Sequence, residues 1–563
     1  LKLYCRVQNA LRTAVCACSM IPAWAAAVGF VLIPFVIDLI SSLLNRSWLS
    51  KPIPQELSGI YDEDGYKVSQ QYNKEKSMLG LIQSSFDMVL FLSFWLTGGF
   101  HRLDAFVMRA GANYLATGVA YTGLLGLAGQ VLSLPFSVYT TFSLEARYGF
   151  NRTTPWTYVK DQLKGLVLIG VLGIPLLSLL LALFTYAGSY AWLYTWICFV
   201  SVQLVMFFLA PILILPLFLE MIPLPTGLAI AVDGIDKESP WIFMKRIFYE
   251  VEGGFKEEKC YETRDRQYSG AEKGAKLSMW CDSGTWKVTE GSAGEGGVTY
   301  ASSVMPAQSP ELASWQLQNS AAQGGVGDMQ EPLAQTGPGV ELKLVRHDMG
   351  ALQRDLLNLA DRLEYRCDKI FVIDGSTRSE HSNAFCTGFG PFRRICLFDT
   401  LLCQLTPDEI VAVLGHEIGH DKLHHVKIGL LQAVVLQFIE FFLLGQFISS
   451  ATLAAAFFLP EPKVYIGFIL FSIVWGTVEA FISVPMTVQG RHHEYQADRF
   501  SVDADRRYGA LLASGLKKMT RNSKDNLTPH PVKVFLDYSH PPLGARMKHI
   551  EEYAATRWGR TDP

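Results

Sequence analysis

Two histidines and a glutamate about three quarters of the way along the chain have the spacing of a catalytic metal site. His416 and His420 are four residues apart, so in a helix both imidazoles lie on one face and can bind one metal ion. Glu417 follows the first histidine, where its carboxylate can reach a water activated by that metal. The residues at 410–414 are mostly apolar, which favours a packed helix over a surface helix with two solvated histidines. The pattern therefore predicts a zinc-dependent hydrolase.

A catalytic zinc ion takes three protein ligands and keeps a fourth position for water. One common pattern places a third histidine shortly after the second, but this chain has Leu423 and Val426 where that pattern needs Gly and His. The other common solution is a glutamate on a later helix, and Glu494 is the candidate. Asp498 lies four residues further on, on the same helical face, and can accept the second N–H of one of the two histidines. The alternative is that Glu494 and Asp498 belong to a solvated helix face.

The composition of the 563-residue chain is that of a membrane protein. Half of the residues are hydrophobic, 18% are charged, and the mean hydropathy is +0.20, whereas soluble domains are about 25% charged. The net charge of −3 gives no overall field that attracts nucleic acid, so we expect no nucleic-acid partner. The ten cysteines form no C-x-x-C pair, and they predict neither a disulfide framework nor a cysteine-based zinc site.

Seven apolar stretches are long enough to cross a bilayer, which takes about 20 helical residues. They occupy residues 20–44, 78–100, 114–142, 163–186, 191–221, 428–459 and 464–488. Two of the predicted spans separate the H-E-x-x-H segment from Glu494, so both emerge on the same side of the membrane. The stretch after the last span is rich in Lys and Arg, which places the C-terminus and the candidate site in the cytosol by the positive-inside rule.

The segment 228–340 differs in composition from the rest of the chain. Gly, Ser, Gln and Glu dominate, and no period of 2 or 3.6 is sustained, which predicts a flexible or disordered insert. The predicted organisation is then spans one to five at 1–227, the insert at 228–340, a metalloprotease segment with short strands at 341–427, spans six and seven at 428–490, and a cytosolic segment with the third ligand at 491–563.

The combined pattern resembles the type-I CAAX prenyl proteases, a family of multi-spanning zinc metalloproteases. Besides the metal motifs, matching residues lie in the segments 134–151, 223–227, 379–384, 397–402, 525–527 and 539–546. The resemblance covers nearly the whole chain outside the insert. Two positions depart from the family: Asp421 stands where Trp is usual, and His424 where Gly is frequent, whereas His425 matches.

The resemblance implies an all-α polytopic membrane protein. Seven transmembrane helices would form a chambered barrel, with a zincin-like metalloprotease domain that contains a small β element. The implied activity is that of a metalloendopeptidase of the EC 3.4.24 class, which removes the last three residues of prenylated Cys-a-a-X proteins and in some members makes a second upstream cut. One Zn²⁺ per chain, a monomer surrounded by membrane lipid, and a location in the endoplasmic reticulum membrane and inner nuclear membrane are also implied.

The same resemblance implies roles for the remaining site residues. Glu417 would act as general base and then as general acid for the leaving amine. Asn383 and Ala384 would lie on the edge strand that aligns the peptide substrate. His540 and Arg546 would stand near the site, where a donor can stabilise the oxyanion. For His540 the alternative is a contact within the Ser-His-Pro-Pro turn.

Two other function classes stay open on the sequence. One is a general membrane-protein quality-control zinc protease, similar to bacterial heat-shock membrane proteases that share the zinc motif. Those proteins have fewer spans, so the five spans before the protease segment count against it. The other is a catalytically silent scaffold or transporter that uses the chamber. An intact Glu417 and three intact ligands argue against a silent protein, because it has no need of the base.

Overall fold

The computed structural model describes residues 22–224 and 349–559, apart from 368 and 389–392, and between 225 and 348 it describes the backbone of eight strands. The first part of the chain forms α1 (Ala23–Trp48), α2 (Glu63–Leu96), α3 (Gly99–Met108), α4 (Tyr114–Glu145), α5 (Pro155–Tyr186) and α6 (Gly188–Phe218). The protease segment contributes α7 (Met349–Arg362), α8 (Asp399–Gln404) and α9 (Pro407–Lys422). The remainder forms α10 (His425–Phe447), α11 (Ala451–Ala456), α12 (Val464–Ala504), α13 (Tyr508–Asn522), α14 (Pro531–Asp537) and α15 (Leu543–Trp558).

Seven of these helices are long and apolar enough to cross a membrane, which confirms the predicted number. They are α1, α2, α4, α5, α6, α10 and α12. Their most apolar stretches are only 0% to 33% buried within the protein. Helices that packed around a common core would bury an apolar stripe each. Most of their apolar surface therefore faces away from protein atoms, as expected of spans with lipid outside and an open interior, and the fold is the expected chambered barrel.

The sixth predicted span, 428–459, is divided in the structure. α10 ends at Phe447, and α11 begins after Ser450, whose Oγ accepts a hydrogen bond from the Leu453 N–H at 3.2 Å. The 23 residues of α10 rise roughly 35 Å, which already exceeds the hydrocarbon thickness of about 30 Å. The apolar residues beyond it pack at the end of the barrel instead of extending the span.

We call this end, where α3, α11 and the start of α12 meet, the far end of the barrel. The indole of Trp95 stacks on Phe457 with ring centroids 4.1 Å apart. The buried carboxylate of Asp104 accepts hydrogen bonds from Lys463 Nζ at 2.6 Å and from Tyr465 Oη at 2.5 Å. Glu494 lies 30 residues beyond the first residue of α12, roughly 45 Å away by helix rise. One unbroken helix thus connects the far end to the candidate site.

The strands are numbered along the chain. They are β1 (Met221–Pro223), β2 (Leu228–Asp236), β3 (Phe243–Val251), β4 (Gly254–Cys260), β5 (Lys276–Asp282), β6 (Thr285–Gly291), β7 (Val298–Ala301), β8 (Glu331–Leu333), β9 (Val340–Asp348), β10 (Ile370–Ile373), β11 (Ala384–Thr387) and β12 (Arg394–Phe398). The prediction of a flexible insert over 228–340 falls largely on residues outside the described part of the chain, and it stays a prediction.

The sheet beside α9 is small and mixed, in the order β1-β10-β12-β11. β10 and β12 are parallel, and β11 pairs antiparallel with β12, with Ala384 opposite Leu397. The sheet shares one hydrophobic core with α7, α9 and α13, to which Leu352, Ile395 and Ile410 contribute side chains that are at most 1% exposed. β11 is therefore an edge strand held rigidly against the helix that carries the H-E-x-x-H motif.

Candidate metal centre

α9 begins with strong local signals. Thr406 is the N-cap, and its hydroxyl accepts the Glu409 N–H while the Glu409 carboxylate accepts the Thr406 N–H, which forms a capping box. Pro407 occupies the first turn, where a missing N–H costs nothing. Glu409 also accepts hydrogen bonds from Ser514 at 2.6 Å and Lys518 at 2.9 Å on α13. The motif helix is thus fixed in register at its start.

One glycine directly before the motif and one inside it allow α12 to approach α9 closely. A Cβ atom at Gly415 would lie 2.9 Å from Ser501 Oγ, and one at Gly419 would lie 3.1 Å from Phe500 Cβ. Ser501 donates a hydrogen bond to the Ala412 carbonyl at 2.8 Å. This close helix crossing brings Glu494, earlier on α12, to the two histidines.

The predicted ligands His416, His420 and Glu494 converge. The two Nε2 atoms are 3.1 Å apart, and the Glu494 carboxylate lies 3.5 Å from His416 Nε2 and 3.3 Å from His420 Nε2. All three ligand atoms lie within 4.8 Å of one another. Glu494 Oε2 is buried and accepts no hydrogen bond from the part of the chain that the structure describes. Such a set of two imidazole nitrogens and one carboxylate oxygen fits a single metal ion.

Charged groups support the first ligand. His416 Nδ1 lies 2.9 Å from Asp498 Oδ1, and Asp498 in turn accepts two hydrogen bonds from Arg546, at 2.6 and 3.0 Å. Arg546 is also 3.3 Å from Glu494 Oε2. Burial disfavours the imidazolium of His416, but the adjacent carboxylates of Asp498 and Glu494 outweigh it and raise the pKa of His416 to about 9. The pocket thus favours positive charge beside Glu494.

Neutral groups support the second ligand. His420 Nδ1 is 3.1 Å from Nδ1 of His425, the first residue of α10. The other ring nitrogen of His425 is 2.9 Å from Gln496 Oε1 on α12. Its ring also stacks on His493 with centroids 4.0 Å apart and planes within 4°. Gln496 belongs to no sequence motif of the site, although its position two residues after Glu494 places it beside the ligands.

Glu417 lies next to this cluster with its carboxylate available. It forms no hydrogen bond or ion pair with residues in the described ranges. Burial raises the pKa of the Glu417 carboxyl group. A carboxylate with a raised pKa accepts a proton more readily near neutral pH, which suits a general base.

One edge of β11 pairs with β12, and the other edge lies beside α9 without a partner strand among the described residues. The Asn383 carbonyl accepts the Phe398 N–H of β12 at 3.0 Å. Because backbone groups alternate in direction along a strand, those of Ala384 point to the opposite, unpaired edge. The Ala384 N–H is 2.9 Å from the side-chain Oδ1 of its neighbour Asn383. An extended peptide can therefore pair with this edge.

His540 lies at the open side of the cluster. Its side chain is 67% exposed, and its Nε2 is 3.4 Å from Glu494 Oε1. Its Nδ1 is 2.9 Å from the hydroxyl of Ser539. Both the position beside the ligand and the turn contact considered above are thus present together. Arg546, in contrast, is buried behind the ligands.

The two departures from the family pattern have structural counterparts. Asp421 pairs with Arg393, Nη2 to Oδ2 at 2.5 Å, and the Arg393 guanidinium lies 4.6 Å from the ring centroid of Tyr365. His424 has a φ of 63°, a left-handed conformation that glycine adopts at no steric cost.

Comparison with known proteins places the chain among membrane-bound peptidases. Residues 43–220 match the family described as "CAAX prenyl protease N-terminal, five membrane helices", and residues 346–554 match "Peptidase family M48". The "CAAX prenyl protease 1 homolog" of Arabidopsis thaliana is 25% identical over 540 residues, which cover 94% of this chain and 98% of that protein. The homolog of Homo sapiens is 25% identical and covers 89% of this chain and 88% of that protein. The crystal structure of S. mikatae Ste24p aligns with a TM-score of 0.68 at 22% identity over 94% of this chain and 100% of that one, a likeness of fold.

Proposed function

The chain belongs to the CAAX prenyl protease family within peptidase family M48, and from this we propose that it is a zinc-dependent endopeptidase that removes the last three residues of prenylated Cys-a-a-X proteins. The observation that carries the proposal is the convergence of His416, His420 and Glu494 within 4.8 Å, with Glu417 beside them and an open strand edge next to α9. The related proteins named as CAAX prenyl proteases align with nearly the whole of this chain. A general quality-control protease is not favoured by these matches.

The residues present fit a divalent metal ion. With both histidines neutral, as metal ligands must be, the three carboxylates of Glu417, Glu494 and Asp498 face one guanidinium, that of Arg546, so two negative charges are left to balance. Buried charges are costly unless they are compensated, and a divalent cation at the three ligand atoms compensates them. Two histidines and one glutamate are the ligand set of a known class of catalytic zinc sites. His416, His420 and Glu494 would hold the zinc ion, which would supply Lewis acidity to a water molecule and to the carbonyl of the scissile bond.

Glu417 carries the proton transfers in this proposal. Its carboxylate takes a proton from the water that attacks the scissile carbonyl carbon. The same group then gives that proton to the nitrogen of the leaving tripeptide as the C–N bond breaks. A half-buried carboxyl group with a raised pKa is suited to both steps.

The substrate is aligned by β11. We assign to the Ala384 N–H and C=O the pairing with an extended peptide, which adds a strand to the sheet edge. In the absence of peptide the Ala384 N–H donates to Asn383 Oδ1 at 2.9 Å, so Asn383 occupies this N–H until a peptide carbonyl replaces it. His540, exposed beside Glu494, is placed to donate to the carbonyl oxygen as negative charge develops on it. Arg546 acts through Asp498, whose carboxylate it holds against His416.

We further propose that the enzyme is a monomer of the endoplasmic reticulum and inner nuclear membranes, with its site on the cytosolic side. The basic stretch after α12 supports this orientation, since positively charged flanks stay in the cytosol. A second, upstream cut in a prenylated precursor would use the same site.

A peptide assay tests the activity directly. Purified full-length protein is given a farnesylated and a non-prenylated Cys-a-a-X peptide, each with and without a chelator, and the released tripeptide is measured. We expect cleavage of the farnesylated peptide alone, its loss with the chelator, and its recovery on adding zinc. Equal cleavage of both peptides would favour a general protease, and cleavage that persists in the chelator would remove the metal from the mechanism.

A further inference from the structure

A chain of hydrogen-bonding groups leads away from the second histidine ligand along α12. His420 Nδ1 lies 3.1 Å from His425 Nδ1, His425 Nε2 lies 2.9 Å from Gln496 Oε1, and Gln496 Nε2 lies 3.2 Å from His492 Nε2. Three side chains on two membrane helices therefore follow one metal ligand in series. None of them faces the scissile bond in the mechanism above, so they need another explanation.

The directions of these hydrogen bonds can be deduced from the ligand geometry. His420 Nε2 is the nitrogen that faces His416 and Glu494, so it needs its lone pair for the metal, and the proton is on Nδ1. A neutral imidazole has one N–H and one acceptor nitrogen. His425 therefore accepts at Nδ1 and donates from Nε2.

Gln496, the next member of the hydrogen-bond series, fits this arrangement. Gln496 presents its carbonyl oxygen to the Nε2–H of His425, and its amide then donates to His492. Every link has one donor and one acceptor, and reversing any link would place two donors or two acceptors together. The stack of His425 on His493 at 4.0 Å also fixes the plane of the accepting ring.

We propose that His425 and Gln496 are positioning residues that set the tautomer and the ring orientation of His420, and so hold its Nε2 lone pair on the metal. This inference rests on the proposed metal site and deepens it. Partners behind a metal ligand typically change metal affinity or activity by about 10- to 100-fold when they are removed. This hydrogen-bond series also makes the metal site sensitive to how α10 and α12 pack, because α10 contributes His425 and α12 contributes Gln496.

Zinc affinity of the full-length protein, measured by competition with a chelator, tests the proposal without any substrate. His425→Phe keeps an aromatic ring over His493 but removes the acceptor, and we expect about 10- to 100-fold weaker zinc binding. His425→Asn places an acceptor oxygen near the former Nδ1 and should recover most of that loss. Gln496→Met removes the second link and should weaken zinc binding less than His425→Phe does.

Coupling and a control sharpen the test. Substitutions of residues that act through one series do not have additive effects. The double variant of His425→Phe with Gln496→Met should therefore bind zinc no more weakly than His425→Phe alone. The visible absorption bands of the cobalt-substituted protein should shift in His425→Phe and return in His425→Asn. His101→Phe, on an exposed histidine of α3, is the matched control and should leave both readouts unchanged.

The opposite outcomes are equally clear. Equal zinc loss in His425→Asn and His425→Phe, or additive losses in the double variant, would overturn the proposal. If His425→Phe does not fold, normal zinc affinity in Gln496→Met overturns it as well. A failure of the prenylated-peptide assay affects only the proposed substrate, since zinc binding is read without one.

Discussion

The two histidine ligands of the metal centre share one helix and are supported in different ways. His416 is buried and is backed by a charged pair, Asp498 with Arg546, from α12 and α15. His420 is 22% exposed by its side chain and is backed by the neutral groups of His425 and Gln496. The charged support therefore comes from the packed protease core, and the neutral support from the junction of two membrane helices.

This difference shows how one site is built between a rigid core and a hollow barrel. α9 lies in the core, where a charged pair can be buried because every partner is held in place. α10 begins only three residues after α9 ends and runs into the barrel wall. Neutral hydrogen bonds tolerate small helix movements at lower cost than a buried ion pair does. The predictions below separate catalysis from metal binding, and then each support from the other.

The largest expected effect is on catalysis, from a residue that belongs to neither support. Glu417→Gln keeps the size of the side chain and removes the base, so turnover should fall by about 10²- to 10⁴-fold. Zinc content should stay at one ion per chain, because Glu417 is no ligand in this mechanism. Parallel measurement of zinc by elemental analysis and of peptide cleavage checks both parts.

Glu494→Gln is the contrast for that experiment. It weakens a ligand, so zinc content and cleavage should fall together. Near-normal cleavage by Glu417→Gln would rule out the base mechanism even with zinc present, and full zinc content in Glu494→Gln would remove Glu494 from the ligand set.

The next largest effect should be on protein stability, from a substitution in the charged support of His416. Arg546→Met leaves the buried carboxylate of Asp498 with His416 alone and without its guanidinium partner, and removal of one member of a buried pair costs about 3 to 5 kcal/mol. Thermal unfolding in detergent should show a clear drop in the midpoint temperature. Arg557→Met on the same helix is the control, since Arg557 and Asp503 form an exposed pair worth at most about 1 kcal/mol. Equal shifts in the two variants would contradict the buried pair.

The sequence predicted the catalytic part of this site better than its supports. The spacing of His416 and His420 follows from helix geometry alone, and the even number of spans brings Glu494 to the same side. The hydropathy signal ends near 488, whereas α12 continues to Ala504, because a helix can leave the bilayer without breaking. The contact of His425 with Gln496 depends on how α10 and α12 are rotated about their axes. Membrane helices are apolar on all sides, so their hydrophobic periodicity does not show which face packs against a neighbour.

A smaller effect is expected from the carboxylate behind His416. Asp498→Asn keeps the shape but weakens the acceptor for Nδ1–H, so zinc affinity should fall by about 10- to 100-fold. Chelator competition measures it on the same scale as the His425 variants, which makes the two supports directly comparable. Asp503→Asn, one turn further along α12 and partly exposed, should leave zinc affinity unchanged. A loss confined to the His425 variants would mean that the neutral support alone orients the ligands.

The smallest effect should come from the predicted insert. None of the metal ligands, their supports or the strands β1 and β10–β12 lies within 230–338. The two ends of this segment start from neighbouring backbone positions, because Leu228 pairs with Asp348. A shortened connection between them therefore has little distance to span. Deleting residues 230–338 should therefore leave zinc content, unfolding temperature and peptide cleavage close to those of the full chain. Shorter loops cost less closure entropy, so any change in stability should be slightly favourable. Loss of zinc in the deletion variant would show that residues 230–338 support the metal site, in addition to the protease core and the barrel helices.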